Sequence, residues 1–338
     1  MSVKEAMFWK KREKGAVKCF LCRQECLIAD GKRGLCRVRE NRNGVLNSLV
    51  YGRATAASAD PIEKKPLYHF LPGTRAFSIA TRGCNFRCLH CQNCHIAHPS
   101  PEDDFTADRL VEPEQAVRMA AARDCRTVAY TYTEPTIFFE YAYDTARLAT
   151  EKGMKNIFVT NAYIGSEALE TITPFLHGAN IDLKAFSDET YRKLCAARLQ
   201  PVLDNIRLYY ESGIWIEITT LVIPGWNDSD GELENIAGFI ASVDTAIPWH
   251  VTRFSPAYRL ADAPPTPVET LERALEAGRK AGLKYVYIGN IPHREATRTT
   301  CPECGAAVID RSEFGLRPST LADNHCPKCG YEIEGVWE

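Results

Sequence analysis

The chain has 338 residues, of which 45% are hydrophobic and 25% are charged, so it carries enough apolar material for a large folded core. Its 41 Lys and Arg residues nearly balance 43 Asp and Glu residues, which argues against a nucleic-acid-binding surface. No apolar run approaches the ~18 residues that span a bilayer, and no apolar segment follows the basic start. We therefore expect a cytoplasmic protein with no membrane or nucleic-acid partner.

The order of predicted elements indicates three modules and a linker. Residues 1–43 predict a small N-terminal metal module with four cysteines, and residues 44–76 a connecting segment rich in turn residues. Strand-like and helical runs then alternate, which predicts a parallel sheet. The predicted strands are 76–81, 127–133, 156–161, 179–184, 215–223, 249–254 and 285–290, and the predicted helices are 113–123, 135–153, 166–176, 228–243 and 267–282.

The number of strand–helix units limits the possible fold class. Because the predicted strands and helices make fewer than the eight units of a complete barrel, we predict an α/β fold with a partial (β/α)6 TIM-like barrel over residues 77–297. Residues 298–338 are predicted to form a zinc-ribbon module. Parallel βα barrels gather functional groups at the carboxyl ends of their strands, so polar residues there should converge on one rim. These residues include Glu134, Asn161, Asp182, Lys184, Glu217, Thr220, His250, Arg253 and Asn290, with His250 and Arg253 as candidates for substrate contact.

Fourteen cysteines are the most informative feature of the composition. Disulfides are disfavoured in a reducing cytosol, so clustered cysteines in such a chain indicate metal sites. Cys125 and Cys195 stand alone and are expected to be buried small hydrophobes. The other twelve form three groups of four: Cys19, Cys22, Cys26 and Cys36; Cys84, Cys88, Cys91 and Cys94; and Cys301, Cys304, Cys326 and Cys329.

The first predicted barrel strand runs into the motif C-x3-C-x2-C at Cys84, Cys88 and Cys91. Three thiolates on one loop can hold three irons of a [4Fe–4S] cluster and leave the fourth iron without a protein ligand. That iron could chelate S-adenosylmethionine (SAM), whose reductive cleavage gives methionine and a 5′-deoxyadenosyl radical. A zinc knuckle fits the C-x3-C spacing poorly. Cys94 is the alternative fourth ligand, which would instead give a closed electron-transfer cluster.

The two flanking groups predict further metal centres. The paired motifs CPECG (301–305) and CPKCG (326–330) predict structural zinc, with a rubredoxin-like iron site or a partner-binding ribbon as alternatives. The spacing C-x2-C-x3-C-x9-C near the N-terminus predicts one metal centre. Its metal is left open between Zn²⁺ and an auxiliary Fe–S cluster. The corresponding ligands are Cys301, Cys304, Cys326 and Cys329, and Cys19, Cys22, Cys26 and Cys36.

The cysteine motif and several longer stretches resemble the radical SAM superfamily. More narrowly, residues 17–338 resemble the radical SAM member of the AmmeMemoRadiSam system, a relative of pyruvate formate-lyase activating enzyme. The matching stretches include VKCFLCRQECLIADGKRGLCRVREN, GCNFRCLHCQN, YTYTEPT, DLKAFSDETYRKL and LVIPGWND. The resemblance implies a partial (β/α)6 barrel, a SAM-bound [4Fe–4S] cluster and reduced flavodoxin or ferredoxin as the electron donor.

The resemblance also implies contacts to the amine, ribose and adenine of SAM. Thr133 and Glu134 stand where the superfamily's Gly-Gly-Glu-Pro motif binds the methionyl amine, although this sequence lacks both glycines. A carboxylate facing an ammonium suits that role. Asn161 matches the ribose-binding neighbourhood after the third strand, and His90 takes the place of an aromatic residue that stacks near adenine.

Further positions match the activating enzymes. Asp182 and Lys184 correspond to their Asp-Leu-Lys motif, in which the lysine faces the SAM carboxylate and the aspartate holds the surroundings. Val159 replaces an aspartate that helps to bind a monovalent cation in those enzymes, so a cation site is not expected.

Three functions follow from these observations. The leading prediction is a radical SAM enzyme that abstracts a hydrogen atom from a protein or peptide substrate, as activating enzymes do. Radical modification of a small molecule is the alternative enzyme function. A non-catalytic electron carrier or adaptor with Fe–S and zinc sites is the third, and a cluster with four cysteine ligands and no spectral response to SAM would support it.

Overall fold

A computed structural model gives the fold of residues 3–291, 297–312, 315–316, 321 and 324–338. The N-terminal part folds into two small antiparallel sheets with strand orders β1-β6-β5 and β2-β3-β4, and buried residues alternate along β5 and β6. Its strands are β1 (Lys4–Glu5), β2 (Trp9–Lys11), β3 (Val17–Cys19), β4 (Leu27–Ile28), β5 (Arg39–Arg42), β6 (Val45–Ser48) and β7 (Arg53–Ala54).

An eight-stranded sheet forms the centre of the molecule, in the order β16-β15-β14-β13-β12-β11-β9-β8. The pairs from β9 to β16 are parallel, and β8 joins β9 antiparallel. Within the described residues β8 and β16 do not pair, so the sheet is open, and the predicted α/β fold with a partial parallel sheet is confirmed. The strands of this sheet are β8 (Ala56–Pro61), β9 (Arg75–Ala80), β11 (Cys125–Tyr130), β12 (Lys155–Thr160), β13 (Gly178–Asp182), β14 (Trp215–Val222), β15 (Trp249–Arg253) and β16 (Val286–Gly289). The short strand β10 (Arg109–Leu110) pairs instead with β7 in a separate two-stranded sheet.

Helices connect the strands and bury their apolar faces against the sheet. The sequence pattern predicts no helix between residues 177 and 214, but the structure has two helices in this segment. None of the helices in the described part of the chain is long and apolar enough to cross a membrane. The helices are α1 (Cys94–Ala97), α2 (Pro113–Ala121), α3 (Phe139–Glu151), α4 (Ser166–Ile172), α5 (Asp188–Cys195), α6 (Gln200–Glu211), α7 (Asp230–Val243) and α8 (Val268–Lys280). Single 3-10 turns lie at Glu13–Gly15, Ile62–Lys64, Pro135–Phe138, Thr173–Phe175 and Tyr258–Leu260.

The C-terminal residues pack against the amino ends of the barrel strands. Leu71 N donates to Val336 O, and Val336 N donates to His69 O, both at 2.7 Å. The buried Arg311 donates through Nη2 to Tyr68 O at 2.7 Å. The strands here are β17 (Thr299–Thr300), β18 (Ala307–Ile309), β19 (Arg311–Ser312) and β20 (Gly315–Leu316).

Two contacts cross the predicted module boundaries. The boundary at residue 43 lies in the turn between the paired strands β5 and β6, and β8 of the predicted connecting segment is a strand of the barrel sheet. The division into modules stays a prediction.

Candidate active site

A cavity of about 320 Å³ lies at the carboxyl ends of the parallel strands, within the size range of small-molecule sites. A larger cleft of about 580 Å³ lies between the N-terminal part and residues 103–112, and none of its described lining residues is a cysteine or histidine. The smaller cavity therefore holds the residues with cofactor-binding chemistry. Its lining includes Cys84, Cys88, Cys91, His90, Thr133, Glu134, Asn161, Asp182, Lys184, Thr219, Thr252 and Asn290.

Close packing fixes the start of the cysteine loop. Gly83 has a φ of +99°, and a Cβ at this position would lie 2.7 Å from Val38 Cγ1 and 2.8 Å from Cys36 O. Only glycine combines this backbone conformation with so close an approach. The loop that begins at Cys84 is therefore held against the N-terminal part of the chain.

The end of α5 supports the other side of the loop. The N–H groups of Arg87 and Leu89 donate to the carbonyl oxygens of Cys195 and Leu194, both at 2.9 Å. The neighbouring Cys195 thiol and burial raise the pKa of Cys88 well above its ordinary value. Cys195 is buried as expected. Its contact with Cys88 was missed, because no spacing pattern links the two cysteines.

Cys94 follows the three cysteines of the motif in the sequence. It begins the short helix α1 and is half-buried. It is absent from the described residues that line the cavity, whereas Cys84, Cys88 and Cys91 all line it.

The Glu134 carboxylate joins the ends of β11 and β12. Its Oε1 accepts hydrogen bonds from Thr136 N at 3.1 Å, Thr136 Oγ1 at 2.6 Å and Thr160 Oγ1 at 2.7 Å. Its Oε2 accepts one, from Asn161 N at 2.8 Å. Burial raises the pKa of Glu134 in spite of these donors. Among the described residues Oε2 receives one donor against three at Oε1, so it has the greater capacity to accept a further hydrogen bond.

Tyr132 explains how this turn forms without the superfamily's glycines. Its φ is +64°, the left-handed region that glycine favours. The Tyr132 hydroxyl donates to Asp60 Oδ2 at 2.6 Å, and Asn93 Nδ2 donates to Tyr132 O at 2.8 Å. Lys65 Nζ lies 4.3 Å from the centre of the tyrosine ring. These contacts hold the strained backbone in place.

Neighbouring polar residues are also held by the protein. Asn161 Nδ2 donates to Asn85 Oδ1 at 2.8 Å, and Asn161 Oδ1 accepts from Tyr163 N at 3.0 Å. Thr133 Oγ1 donates to Thr81 O at 2.8 Å. The side chains of Asn161 and Thr133 are thus oriented by internal hydrogen bonds.

A cation and a neutral imidazole complete the cavity. Lys184 Nζ lies 2.9 Å from Asp182 Oδ2. Burial lowers the pKa of Lys184, but the charge of Asp182 outweighs it and the net pKa is raised, so the lysine stays charged. Burial and the Lys184 charge lower the pKa of His90 to about 3. His90 Nδ1 is buried and has no hydrogen-bond partner among the described residues.

Two predicted rim residues lie elsewhere. Glu217 is near the start of β14 and accepts hydrogen bonds from Tyr68 N at 2.9 Å and His69 N at 2.8 Å. His250 Nε2 lies 2.6 Å from Glu217 Oε2. Neither His250 nor Arg253 is among the described cavity-lining residues, and their role as substrate contacts stays a prediction. His250 is the second residue of β15, and this position puts it at the amino end of the barrel.

The four C-terminal cysteines form a compact cluster. Sγ–Sγ distances are 3.6 Å for Cys301 and Cys329 and 3.7 Å for Cys304 and Cys326, and all four sulfurs lie within 4.8 Å of one another. Sulfurs placed about 2.3 Å from one tetrahedral zinc ion stand about 3.8 Å apart. This cluster could therefore hold a single metal ion.

Comparison with known proteins identifies the family. The sequence profile of the Radical SAM superfamily matches residues 78–237. The uncharacterized protein MJ0808 of Methanocaldococcus jannaschii is 44% identical over 337 residues, which cover 99% of this chain and 100% of that protein. The chain belongs to the radical SAM superfamily. It is a radical SAM enzyme, and the family implies a [4Fe–4S] cluster and SAM as its cofactors.

More distant relatives connect this radical SAM enzyme to activating enzymes. Pyruvate formate-lyase 1-activating enzyme of Escherichia coli K12 is 22% identical over 230 residues, covering 64% of this chain and 93% of that enzyme. The crystal structure of Streptococcus suis SuiB bound to precursor peptide SuiA has 16% identity and a TM-score of 0.50, over 68% of this chain and 51% of SuiB. This chain therefore corresponds to about half of SuiB, and the likeness concerns the fold alone.

Proposed function

We propose that this radical SAM enzyme abstracts a hydrogen atom from a protein or peptide substrate. The relationship to pyruvate formate-lyase activating enzyme over most of that enzyme's length carries the proposal. The AmmeMemoRadiSam system is the proposed setting within the superfamily. Reduced flavodoxin or ferredoxin is the proposed electron donor, which agrees with the cytoplasm as the proposed location.

The cavity-lining cysteines are the proposed cluster ligands. Cys84, Cys88 and Cys91 line one cavity on one loop, and Cys94 lies outside the lining. A three-cysteine ligand set leaves one iron of a [4Fe–4S] cluster open to another ligand. When bound, the cluster and SAM supply the reductive cleavage that yields a 5′-deoxyadenosyl radical.

Charged groups in the cavity match the amino-acid part of SAM. We assign Lys184 to the SAM carboxylate, because it is cationic and is oriented by Asp182 at 2.9 Å. We assign Glu134 Oε2 to the SAM amine, because this oxygen has the greater capacity to accept a further hydrogen bond and the residue lines the cavity.

The remaining polar residues suit the nucleoside. His90 is neutral, lines the cavity and has an unpartnered Nδ1, which fits a contact with adenine. Asn161 and Thr133 are assigned to the ribose and amine sides respectively, with side chains oriented by Asn85 and Thr81. These roles require rigid side chains, since positioning of the cofactor decides where the radical forms.

The C-terminal cysteines are the proposed ligands of structural zinc. The separations of 3.6 and 3.7 Å match a single tetrahedral ion. Gly305 and Gly330 have φ values of +69° and +77°, in the left-handed region that glycine adopts readily, which supports a tight turn at each cysteine pair.

Formation of 5′-deoxyadenosine tests the proposed chemistry. Anaerobically reconstituted, dithionite-reduced protein should produce it from SAM, and absence of the product would refute the radical SAM assignment of this cavity. Lys184→Ala should raise the KM for SAM, because the cation facing its carboxylate is lost. Lys193→Ala is the matched control, because Lys193 pairs with Glu189 on the exposed face of α5.

Deuterium transfer tests the substrate class. The enzyme is incubated with SAM and with either the protein fraction or the low-molecular-mass fraction of a fully deuterated cell extract. Hydrogen abstraction from a protein would place deuterium in 5′-deoxyadenosine with the protein fraction. Label that arises only from the low-mass fraction would contradict the proposal and support the small-molecule function.

A further inference from the structure

The N-terminal cysteines line a small cavity of their own. All four face it, and two buried polar residues, Arg39 and Asn85, share the lining. Asn85 directly follows the first cysteine of the SAM-cluster motif, so this cavity lies behind that loop. The four cysteines are Cys19, Cys22, Cys26 and Cys36.

The spacing of the sulfurs distinguishes a single-ion site from a cluster site. The C-terminal quartet has all four sulfurs within 4.8 Å of one another, which suits one ion. Among the residues that the structure describes, no three of the N-terminal cysteines come this close, and the same is true of Cys84, Cys88 and Cys91. In a [4Fe–4S] cluster each cysteine binds a different iron, so the cysteine sulfurs stand farther apart than those around a single metal ion. Within the described part of the chain, the N-terminal quartet therefore lacks the close single-ion spacing of the C-terminal quartet, as the SAM-cluster loop also does.

Unpaired buried donors face the same cavity. Arg39 and Asn85 are each 1% exposed. Arg39 uses Nη2 for Met7 O at 2.6 Å and Glu140 Oε1 at 2.8 Å, but its Nε and Nη1 have no partner in the described part of the chain. Asn85 Nδ2 also has none there. Buried donors are normally satisfied, so these N–H groups point to an acceptor that carries negative charge.

We propose that Cys19, Cys22, Cys26 and Cys36 bind a second [4Fe–4S] cluster, whose sulfur atoms accept hydrogen bonds from Arg39 and Asn85. The proposal does not depend on the substrate or on the roles assigned to the SAM-facing residues. Because each iron has a cysteine ligand, this cluster has no open position for SAM or substrate.

The second cluster is close to the SAM-cluster loop in the fold. Gly83 packs against Cys36 O and Val38, so that a Cβ would overlap both. Arg87 donates through Nη1 to Cys84 O at 2.9 Å and through Nη2 to Leu35 O. One guanidinium thus bridges the residues next to both cysteine sets.

Metal and sulfide analysis of the full-length, anaerobically reconstituted protein tests this inference. We expect about eight iron and eight sulfide per chain, and about four of each in the C84A/C88A/C91A variant. Cys125→Ala is the matched control, because Cys125 is buried outside both cysteine cavities and its loss should leave about eight iron. Four iron in the wild type, or an iron-free triple variant with an additional zinc ion, would overturn the inference. About two iron in the triple variant would overturn the four-iron assignment.

Electron paramagnetic resonance gives a second, independent readout. SAM should alter one of two cluster signals in the reduced wild type and should leave the signal of the C84A/C88A/C91A variant unchanged. A signal in that variant that responds to SAM would overturn the saturated ligand set. A wild type with about eight iron that makes no 5′-deoxyadenosine would refute the proposed function while leaving this inference intact.

Discussion

The ion pair between Arg39 and Glu140 joins the N-terminal part of the chain to the barrel. Arg39 Nη2 lies 2.8 Å from Glu140 Oε1, and each side chain is 1% exposed. The same oxygen accepts a hydrogen bond from Met7 N at 2.7 Å. Glu140→Gln keeps the shape of the side chain but removes the charge, which leaves the guanidinium buried beside a neutral amide.

Breaking one side of a buried pair costs about 3–5 kcal/mol, because the remaining charge loses its compensation. That is a large part of the ~5–15 kcal/mol that stabilises a folded domain. With a urea m value of about 3 kcal/mol/M, the unfolding midpoint should fall by about 1–2 M.

Urea unfolding followed by circular dichroism, at equal metal loading, measures this loss. Glu189→Ala removes an exposed carboxylate from the pair with Lys193 and should give no resolvable shift. A Glu140→Gln shift below about 0.3 M would refute the reasoning.

Three further outcomes are expected. Gly83→Ala should lower bound iron, because its Cβ would overlap Val38 and Cys36 O, whereas Gly153→Ala, with open space around it, should retain iron. Cys326→Ser should release one zinc ion per chain and leave the iron count unchanged; retained zinc would contradict the ribbon. Burial lowers the pKa of His69 to about 4, so the unfolded chain takes up its proton first as the pH falls. Stability should therefore drop by about 3 kcal/mol between pH ~6.5 and ~4, and a His69→Gln variant with the same pH dependence would argue against this origin.

Local spacing explains the part of the site that sequence reasoning could predict. Cys84, Cys88 and Cys91 lie within eight residues, so loop geometry alone brings their thiols toward one cluster. The strand-end rule likewise predicted that Glu134 and Lys184 would share a cavity, and both line it. The same rule did not hold for Glu217 and His250, because each lies near the start of its strand and not at its carboxyl end. Hydrogen bonds from the backbone N–H groups of Tyr68 and His69 hold the Glu217 carboxylate at that end of the sheet.

The alternating βα order and the three cysteine sets could be predicted from the amino-acid sequence, because both depend on hydrophobic periodicity and on short spacings along the chain. Only the tertiary structure brought Cys195 to Cys88, 107 positions away in the chain, and Gly83 to Cys36. It also showed that the sulfurs of the Cys301 quartet lie within 4.8 Å of one another, whereas in the described part of the chain no three of the Cys19 quartet do. Contacts of this kind depend on how distant elements pack and on how far apart thiols stand in space, and no local pattern of residues encodes those distances.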